Sequence, residues 1–213
     1  MSGVRIERAV LFDWDGTLVD SWHADVAATA NVFRTYGVVY DQALVNRFAP
    51  NWRALYSHVG IPAHDWSAAS AVYRAAYDDT KVTLKIGVPI MLGRLVRSDV
   101  RLGIVSSGAR SRIERQLERF GLRPFFRVLL ADGDVAFRKP DPRLLLDGIS
   151  RLGVTPARTV YVGDTAADLA MGAASGVQTI HVRSAYSTMA GAGVAPLTSC
   201  RAVLRAIRST MTS

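Results

Sequence analysis

The sequence predicts an α/β protein: a parallel sheet between two layers of helices, carrying a small all-α cap. Three observations lead there. From residue 87 onward, short β-rich apolar runs alternate with amphipathic stretches of helix length, the rhythm of a parallel sheet covered on both faces. Gly121, Gly153 and Gly176 each follow a helical stretch, as C-terminal caps do. Directly after the first strand, residues 21–86 show helical patterns and no convincing strand.

In chain order, the expected strands are Ala9–Phe12, Leu102–Val105, Arg127–Leu130, Thr159–Val162 and Thr179–Val182. The expected core helices are Val88–Arg97, Ser111–Phe120, Pro142–Leu152 and Ala166–Ser175, with Asp141-Pro142 as a helix start. In the inserted stretch the clearest helices are His23–Tyr36 and Trp66–Leu84, with Gly37, Pro50, Gly60-Ile61-Pro62 and Gly87 as punctuation. Together these give a Rossmann-like three-layer core from residues 1–20 and 87–213, and a helical cap from residues 21–86.

The chain has 213 residues, 49% of them apolar, enough for one full core and a small accessory domain. No apolar run approaches the roughly 18 residues that span a bilayer, and Met1–Arg8 contains no secretory apolar segment. The single cysteine, Cys200, fits a reducing compartment and leaves nothing for a cysteine zinc cluster. A cytoplasmic location, with no membrane partner, is the expectation. Net charge is +8, and arginine supplies nearly all of it, since Lys81, Lys85 and Lys139 are the only lysines. Arg94, Arg97, Arg101, Arg110, Arg112, Arg115, Arg119, Arg123 and Arg127 are spread without aromatic interleaving. They read as solvated helix faces, so nucleic acid is not the expected partner.

In open parallel sheets, ligands bind beyond the carboxyl ends of the strands. The segments just past three of the strands are polar: Asp13-Trp14-Asp15-Gly16-Thr17, then Ser106-Ser107-Gly108, and Gly163-Asp164-Thr165-Ala166-Ala167-Asp168. Arg138-Lys139-Pro140-Asp141 precedes the helix at Pro142. These clusters converge on one edge of the sheet, and their chemistry suits phosphoryl transfer. Of two aspartates at i and i+2, one can be a nucleophile, and the other can pass a proton to the leaving oxygen and then take one from water. Asp164 offers a hard oxygen ligand suited to Mg²⁺. Lys139 and the Ser106 hydroxyl can hold phosphoryl oxygens, with Ser107 and Gly108 in the same turn. Asp168, one helical turn after Asp164, can orient Lys139 or a metal-bound water. Each cluster alone is a common turn or cap; all of them in order at strand ends are not.

The set DWDGTLVDS, VSSG, RKPDP and GDTAADLAMGAASGV resembles the motifs of the haloacid dehalogenase superfamily, in their usual order and over nearly the whole chain. Within it the chain is most similar to phosphoglycolate phosphatase-type hydrolases, whose small cap lies between the first two motifs. The resemblance implies Asp13 as nucleophile and Asp15 as general acid/base. It implies Mg²⁺ held by Asp13, the Asp15 carbonyl and Asp164, and Ser106 and Lys139 on the transferring group. It also implies a sheet with the Asp13 strand at its centre. Asn51 and Arg53 sit where the family often places its substrate-reading loop, but a loop that only packs is the favoured reading there, and substrate contact the alternative. Trp14 is bulky for its motif position and is expected to pack. The implied function is a Mg²⁺-dependent phosphatase of small phosphorylated metabolites, monomer or homodimer. A phosphomutase of the same family and a receiver-like phospho-acceptor domain are the alternatives. A receiver lacks a cap and does not carry its acceptor on the first strand.

Overall fold

The structure is a computed structural model and describes residues 7–48, 51–187 and 197–212. Pro50, expected as a breaker, and most of the N-terminal stretch read for a leader lie outside the described residues. Five parallel strands form the sheet: β1 (Arg8–Phe12), β4 (Val100–Ala109), β5 (Val128–Asp132), β6 (Thr159–Gly163) and β7 (Gln178–His181). Their spatial order is β5-β4-β1-β6-β7, which puts the strand leading into Asp13 at the centre. β1 pairs in register with β4 through Arg8↔Val100 to Phe12↔Ile104, and with β6 through Ala9↔Thr159 to Phe12↔Val162.

Alternation along the strands divides the core between two faces. Val10, Phe12, Leu102, Ile104, Val160 and Val162 point to one side, where α5 (Val88–Arg97), α6 (Arg110–Arg119) and α9 (Cys200–Thr212) cover them. Ala9, Leu11, Val105 and Tyr161 point to the other, under α7 (Pro142–Leu152) and α8 (Ala166–Ala174). The three-layer α/β class expected from the sequence is what is observed. Gly153, expected as a cap, ends α7 with φ 68°, a left-handed backbone that glycine adopts without a Cβ clash.

Between β1 and α5 lie β2 (Val19–Asp20), α1 (Trp22–Thr35), α2 (Gln42–Phe48), α3 (Trp52–His58), α4 (Trp66–Ala76) and β3 (Thr83–Leu84). The helices have hydrophobic clusters of their own, one around Val32, Tyr56, Ile61 and Ala69, another around Phe33, Val45 and Leu55. Two expectations need correction here. The stretch Trp66–Leu84 is not one helix: α4 stops at Ala76, and Asp79–Lys81 form a short 3-10 turn. The region also contains a strand, β3, which pairs antiparallel with β2 through Val19↔Leu84 and Asp20↔Thr83. The Asp78 carboxylate accepts hydrogen bonds from the backbone N–H and hydroxyl of Thr80, a local alternative to helix. The β-branched Val82 and Thr83 then find a partner in β2. The two short strands are the paired connections through which the helices join the sheet.

Candidate active site

Asp13 leaves the end of β1 with its backbone N–H still bonded to the Val162 carbonyl, 2.8 Å away, so the central strand fixes its Cα. Its side chain is buried, and Lys139 Nζ donates to its Oδ1 at 2.6 Å. Lys139 is held from the other side by Asp168 Oδ1 at 2.7 Å, and the lysine side chain is 2% exposed. The remaining Asp168 valences are filled. Tyr161 OH donates to Oδ1 at 2.7 Å, while Oδ2 accepts from the Thr165 hydroxyl at 2.6 Å and from the Thr165 N–H at 3.0 Å. Thr165 and Asp168 form a reciprocal capping box at the start of α8. The Asp13 and Asp168 carboxylates thus hold the Lys139 ammonium between them.

Asp164, at the end of β6, is fully buried. Its Oδ1 accepts from the Thr17 hydroxyl at 3.1 Å and its Oδ2 from the Ser184 hydroxyl. Its backbone carbonyl accepts from His181 Nε2 at 3.1 Å and from the Ser187 hydroxyl at 2.9 Å. Gly16 lies against it: a Cβ there would stand 2.1 Å from Asp164 Oδ2, and the residue has φ 73°. Only glycine lets the chain turn this closely past the carboxylate.

Asp13, Asp164 and Asp168 present carboxylate oxygens within 4.8 Å of one another, a group that can hold a divalent cation. The donors are all oxygen, which suits a hard ion. Since Asp168 is already saturated, Asp13 and Asp164 are the pair with capacity to spare. Burial pushes the Asp13 carboxyl up to about 6; Lys139 opposes the rise and Asp168 adds to it. Burial, with Asp13 and Asp168 nearby, pushes Asp164 well above the usual carboxylate range. Asp168 is also buried, yet Lys139 and its donated hydrogen bonds hold it below that range. Buried acids pushed upward beside a free oxygen set are what a cation would relieve.

Asp15 faces the same cavity. Its two oxygens take Arg112 Nη1 at 2.8 Å and Nη2 at 2.6 Å. Burial would raise its carboxyl, but Arg112 outweighs that and holds it below the usual range. Arg112 corrects the reading of the arginines as solvated faces. It shares the inner face of α6 with Ile113, Gln116 and Leu117, and is itself buried. The signal was available: Arg112 adjoins Ile113 and stands one helical turn before Gln116, beside the Ile113–Leu117 stripe. Trp14 packs as expected, and its Nε1 donates to Gln116 Oε1 at 2.6 Å.

Ser106 is buried, and its hydroxyl accepts from the Gly108 N–H at 3.1 Å. Ser106–Gly108, expected just past the strand, lie within β4, where its pairing with β5 shifts register between Val105 and Ala109. Ser106, Ser107 and Gly108 line one cavity together with Asp13, Asp15 and Lys139. That cavity, about 400 Å³, is roofed by α1 to α4. Asn51 and Arg53 lie at its side, in a small recess of about 40 Å³ that also touches Ser107 and Lys139. The Asn51 side chain is occupied as the N-cap of α3, accepting from Ala54 N–H. Arg53 stacks over Trp52 at 4.3 Å and lies 3.9 Å from Asp132. Its Nη1 is buried and has no hydrogen-bond partner among the described residues. A feature of the roof not foreseen is Asp25, whose Oδ1 accepts from Tyr73 OH at 2.5 Å inside the same cavity. Burial pushes this carboxyl up to about 6, against the pull of the Tyr73 hydrogen bond.

No helix among the described residues is long and apolar enough to cross a membrane. Residues 10–182 match the haloacid dehalogenase-like hydrolase family. The chain is 32% identical over 176 residues to the validoxylamine A 7'-phosphate phosphatase of Streptomyces hygroscopicus subsp. limoneus, covering 80% of this chain and 83% of that one. It is 33% identical over 196 residues to the plasmid phosphoglycolate phosphatase of Cupriavidus necator, covering 86% and 84%. Among solved structures, CbbY of Rhodobacter sphaeroides in complex with phosphate superposes with a TM-score of 0.75 at 23% identity, covering 91% of this chain and 94% of that one, a likeness of fold. A central strand ending in a buried aspartate, a lysine shared by two carboxylates, and a family match spanning sheet and inserted helices converge: the chain belongs to the haloacid dehalogenase-like hydrolase family.

Proposed function

We propose that the chain hydrolyses phosphate monoesters of small metabolites with Mg²⁺, through an aspartyl-phosphate on Asp13. The observation that carries this reading is the pairing of Asp13 with Lys139, 2.6 Å apart in a buried site at the end of the central strand. Lys139 leaves the other Asp13 oxygen for attack on phosphorus and offers its charge to phosphoryl oxygens, with the Ser106 hydroxyl beside it. Asp15 accepts a proton from water in the second half-reaction and carries it to the leaving oxygen of the next turnover. Asp13, Asp164 and the Asp15 carbonyl would hold the cation, which would neutralise phosphoryl charge when bound. Residues 1–20 and 87–213 are proposed as the catalytic unit and 21–86 as its cap. Arg53, whose Nη1 has the 3.9 Å ion pair to Asp132 but no hydrogen bond, and Asn51 at the mouth of the same recess are proposed to touch the substrate.

The two named phosphatase relatives act on phosphorylated small molecules. The cavity falls within the ~300–1,000 Å³ of ordinary ligand sites, and the alcohol part of the substrate would meet Tyr56, Tyr73, Tyr77 and the Asp25 carboxyl. Free-phosphate detection over a panel of phosphorylated metabolites is the direct test. Phosphate release should vanish in excess chelator and return with Mg²⁺; full activity in chelator would remove the cation from the reaction.

A second expected result concerns stability. Asp13 and Asp164 have folded pKa values above their unfolded value of ~3.9. Such groups stabilise the fold fully below the unfolded pKa, and that contribution is lost as pH rises through the folded pKa, about 6 for Asp13. A cation that binds the ionised pair offsets this loss. The rise in Tm on adding Mg²⁺ should therefore be larger at pH 8 than at pH 5. Equal shifts at the two pH values would separate the cation from these carboxylates.

A further inference from the structure

Arg112 reaches from the first turn of α6 back across the irregular end of β4 to grip Asp15 with both guanidinium arms, and its side chain is 10% exposed. The passage exists because residue 108 is glycine. A Cβ there would lie 2.2 Å from Arg112 Nη2 and 3.1 Å from Asp15 Oδ2. Behind the grip, Arg112 Nη1 also donates to Tyr77 OH at 3.2 Å and to Gln116 Oε1 at 3.4 Å, and the guanidinium stands over the Tyr77 ring at 4.9 Å. The same helix face then holds the segment returning from the cap helices. Gln116 Nε2 donates to Asp79 Oδ1 at 2.7 Å, Arg115 Nη2 to Asp79 Oδ2 at 3.2 Å, and Arg119 to the Asp79 and Val82 carbonyls. Positions 112, 115, 116 and 119 form one stripe on the helix. The stripe ties segment 77–82 to the core, and its first member ends on Asp15.

A two-armed guanidinium fixes the plane of a carboxylate, which a point charge does not. We infer that Arg112 is the positioning residue of Asp15, setting the orientation in which Asp15 accepts the proton of the attacking water. The inference rests on the aspartyl-phosphate mechanism proposed for this site. In its second half-reaction a water oxygen bonds to phosphorus. The bond from phosphorus to the Asp13 oxygen breaks with its electron pair returning to Asp13, and the water proton passes to Asp15. An aspartate whose two oxygens both accept guanidinium N–H groups is fixed in plane and ionised, and the remaining lone pair on each oxygen is held in one direction for the water proton. Attack on a substrate with a good leaving group makes little use of it, so the two half-reactions respond differently to loss of the grip.

The test is rapid-quench and steady-state kinetics with nitrophenyl phosphate on wild type, Arg112→Met, Arg112→Lys and Gly108→Ala. Arg112→Met should form the phosphoenzyme at close to the wild-type rate and then turn over on the order of 10–100-fold more slowly, a share of the ~10²–10⁴ that a positioned acid or base supplies. KM should stay within about threefold, because ground-state binding is unaffected. Arg112→Lys, with the charge but not the fork, should recover only part of the loss. Gly108→Ala displaces the guanidinium without deleting it and should reproduce the burst with slow turnover; it decides the matter if Arg112→Met fails to fold. Raised KM at unchanged kcat would make Arg112 a substrate ligand and overturn the inference. So would equal loss in both half-reactions, wild-type turnover in the deciding variant, or full recovery in Arg112→Lys. No phosphoenzyme in wild type, Arg112→Met or Asp15→Asn would instead defeat the aspartyl-phosphate reading, whereas its absence from wild type alone shows only that hydrolysis outruns formation.

Discussion

Asp13→Asn should abolish turnover, by a factor on the order of 10⁴ or more, the scale reached when a nucleophile is deleted, while leaving the protein at least as stable as wild type above pH 6. The first half follows from chemistry, since the amide keeps the shape and loses the nucleophilic oxygen. The second follows from the burial that pushes the Asp13 carboxyl up to about 6. Ionising Asp13 in the folded protein therefore costs stability once the pH passes that value, and an asparagine never ionises. In metal-free buffer the variant should gain about 1–3 kcal/mol at pH 8 relative to wild type. The gain should disappear below pH ~4, where both side chains are neutral. Denaturant unfolding at the two pH values and phosphate release measure both parts. Residual activity in a contamination-free preparation would move the nucleophile elsewhere, and a destabilised variant at pH 8 would mean that the Lys139 contact outweighs the burial of the charge.

The positions of Asp13, Ser106 and Asp164 were legible because each stands just past a run of apolar residues that announces a strand. Strand ends in a parallel sheet share an edge, so locating the strands located the cluster. The shared lysine was legible for a different reason: Lys139 is one of only three lysines and precedes a proline and a helix start. What escaped was what depends on partners distant in sequence. Arg112 looks like its arginine neighbours until α6 is laid against the sheet, and its partner lies 97 positions away. β2 and β3 are two residues each and stabilise only by pairing with each other. The long helix that residues 66–84 suggest ends at Ala76, ahead of the turn that Asp78 and Thr80 form. α9 carries Val203, Leu204 and Ile207 into the core, but its arginines dilute the apolar pattern that would mark it. Asp25 escaped because a lone acid near a helix start reads as a dipole partner; only the roof of the cavity gives it another setting.

Lys139→Met should be inactive and, unlike Asp13→Asn, clearly less stable. Methionine nearly conserves the volume, so the effect isolates the charge. Lys139 lies buried between Asp13 and Asp168, and both carboxylates push its pKa above the ordinary lysine value against the penalty of burial. A lysine with a raised folded pKa contributes stability that is fully present below its unfolded pKa of ~10.4, hence at neutral pH. Asp168, held below the usual range chiefly by Lys139 against its own burial, contributes stability above its unfolded pKa that is lost as the pH falls through the folded value. Deleting the cation removes both contributions and leaves Asp13, Asp164 and Asp168 facing one another. Breaking a buried pair in this way costs about 3–5 kcal/mol. The deficit should be largest near pH 7.5 in chelator and smaller at pH 5. Without Lys139 the carboxylates take up protons more readily than in the unfolded chain, and the repulsion that destabilises the variant is titrated away. Adding Asp168→Asn to Lys139→Met should then restore part of the stability without restoring activity, because it removes one of the uncompensated charges. The two substitutions are therefore non-additive in stability, and a double-mutant cycle by urea unfolding measures the coupling. A deficit that is the same at both pH values, or a double variant no more stable than Lys139→Met, would mean that Lys139 holds the site by packing and not by its charge.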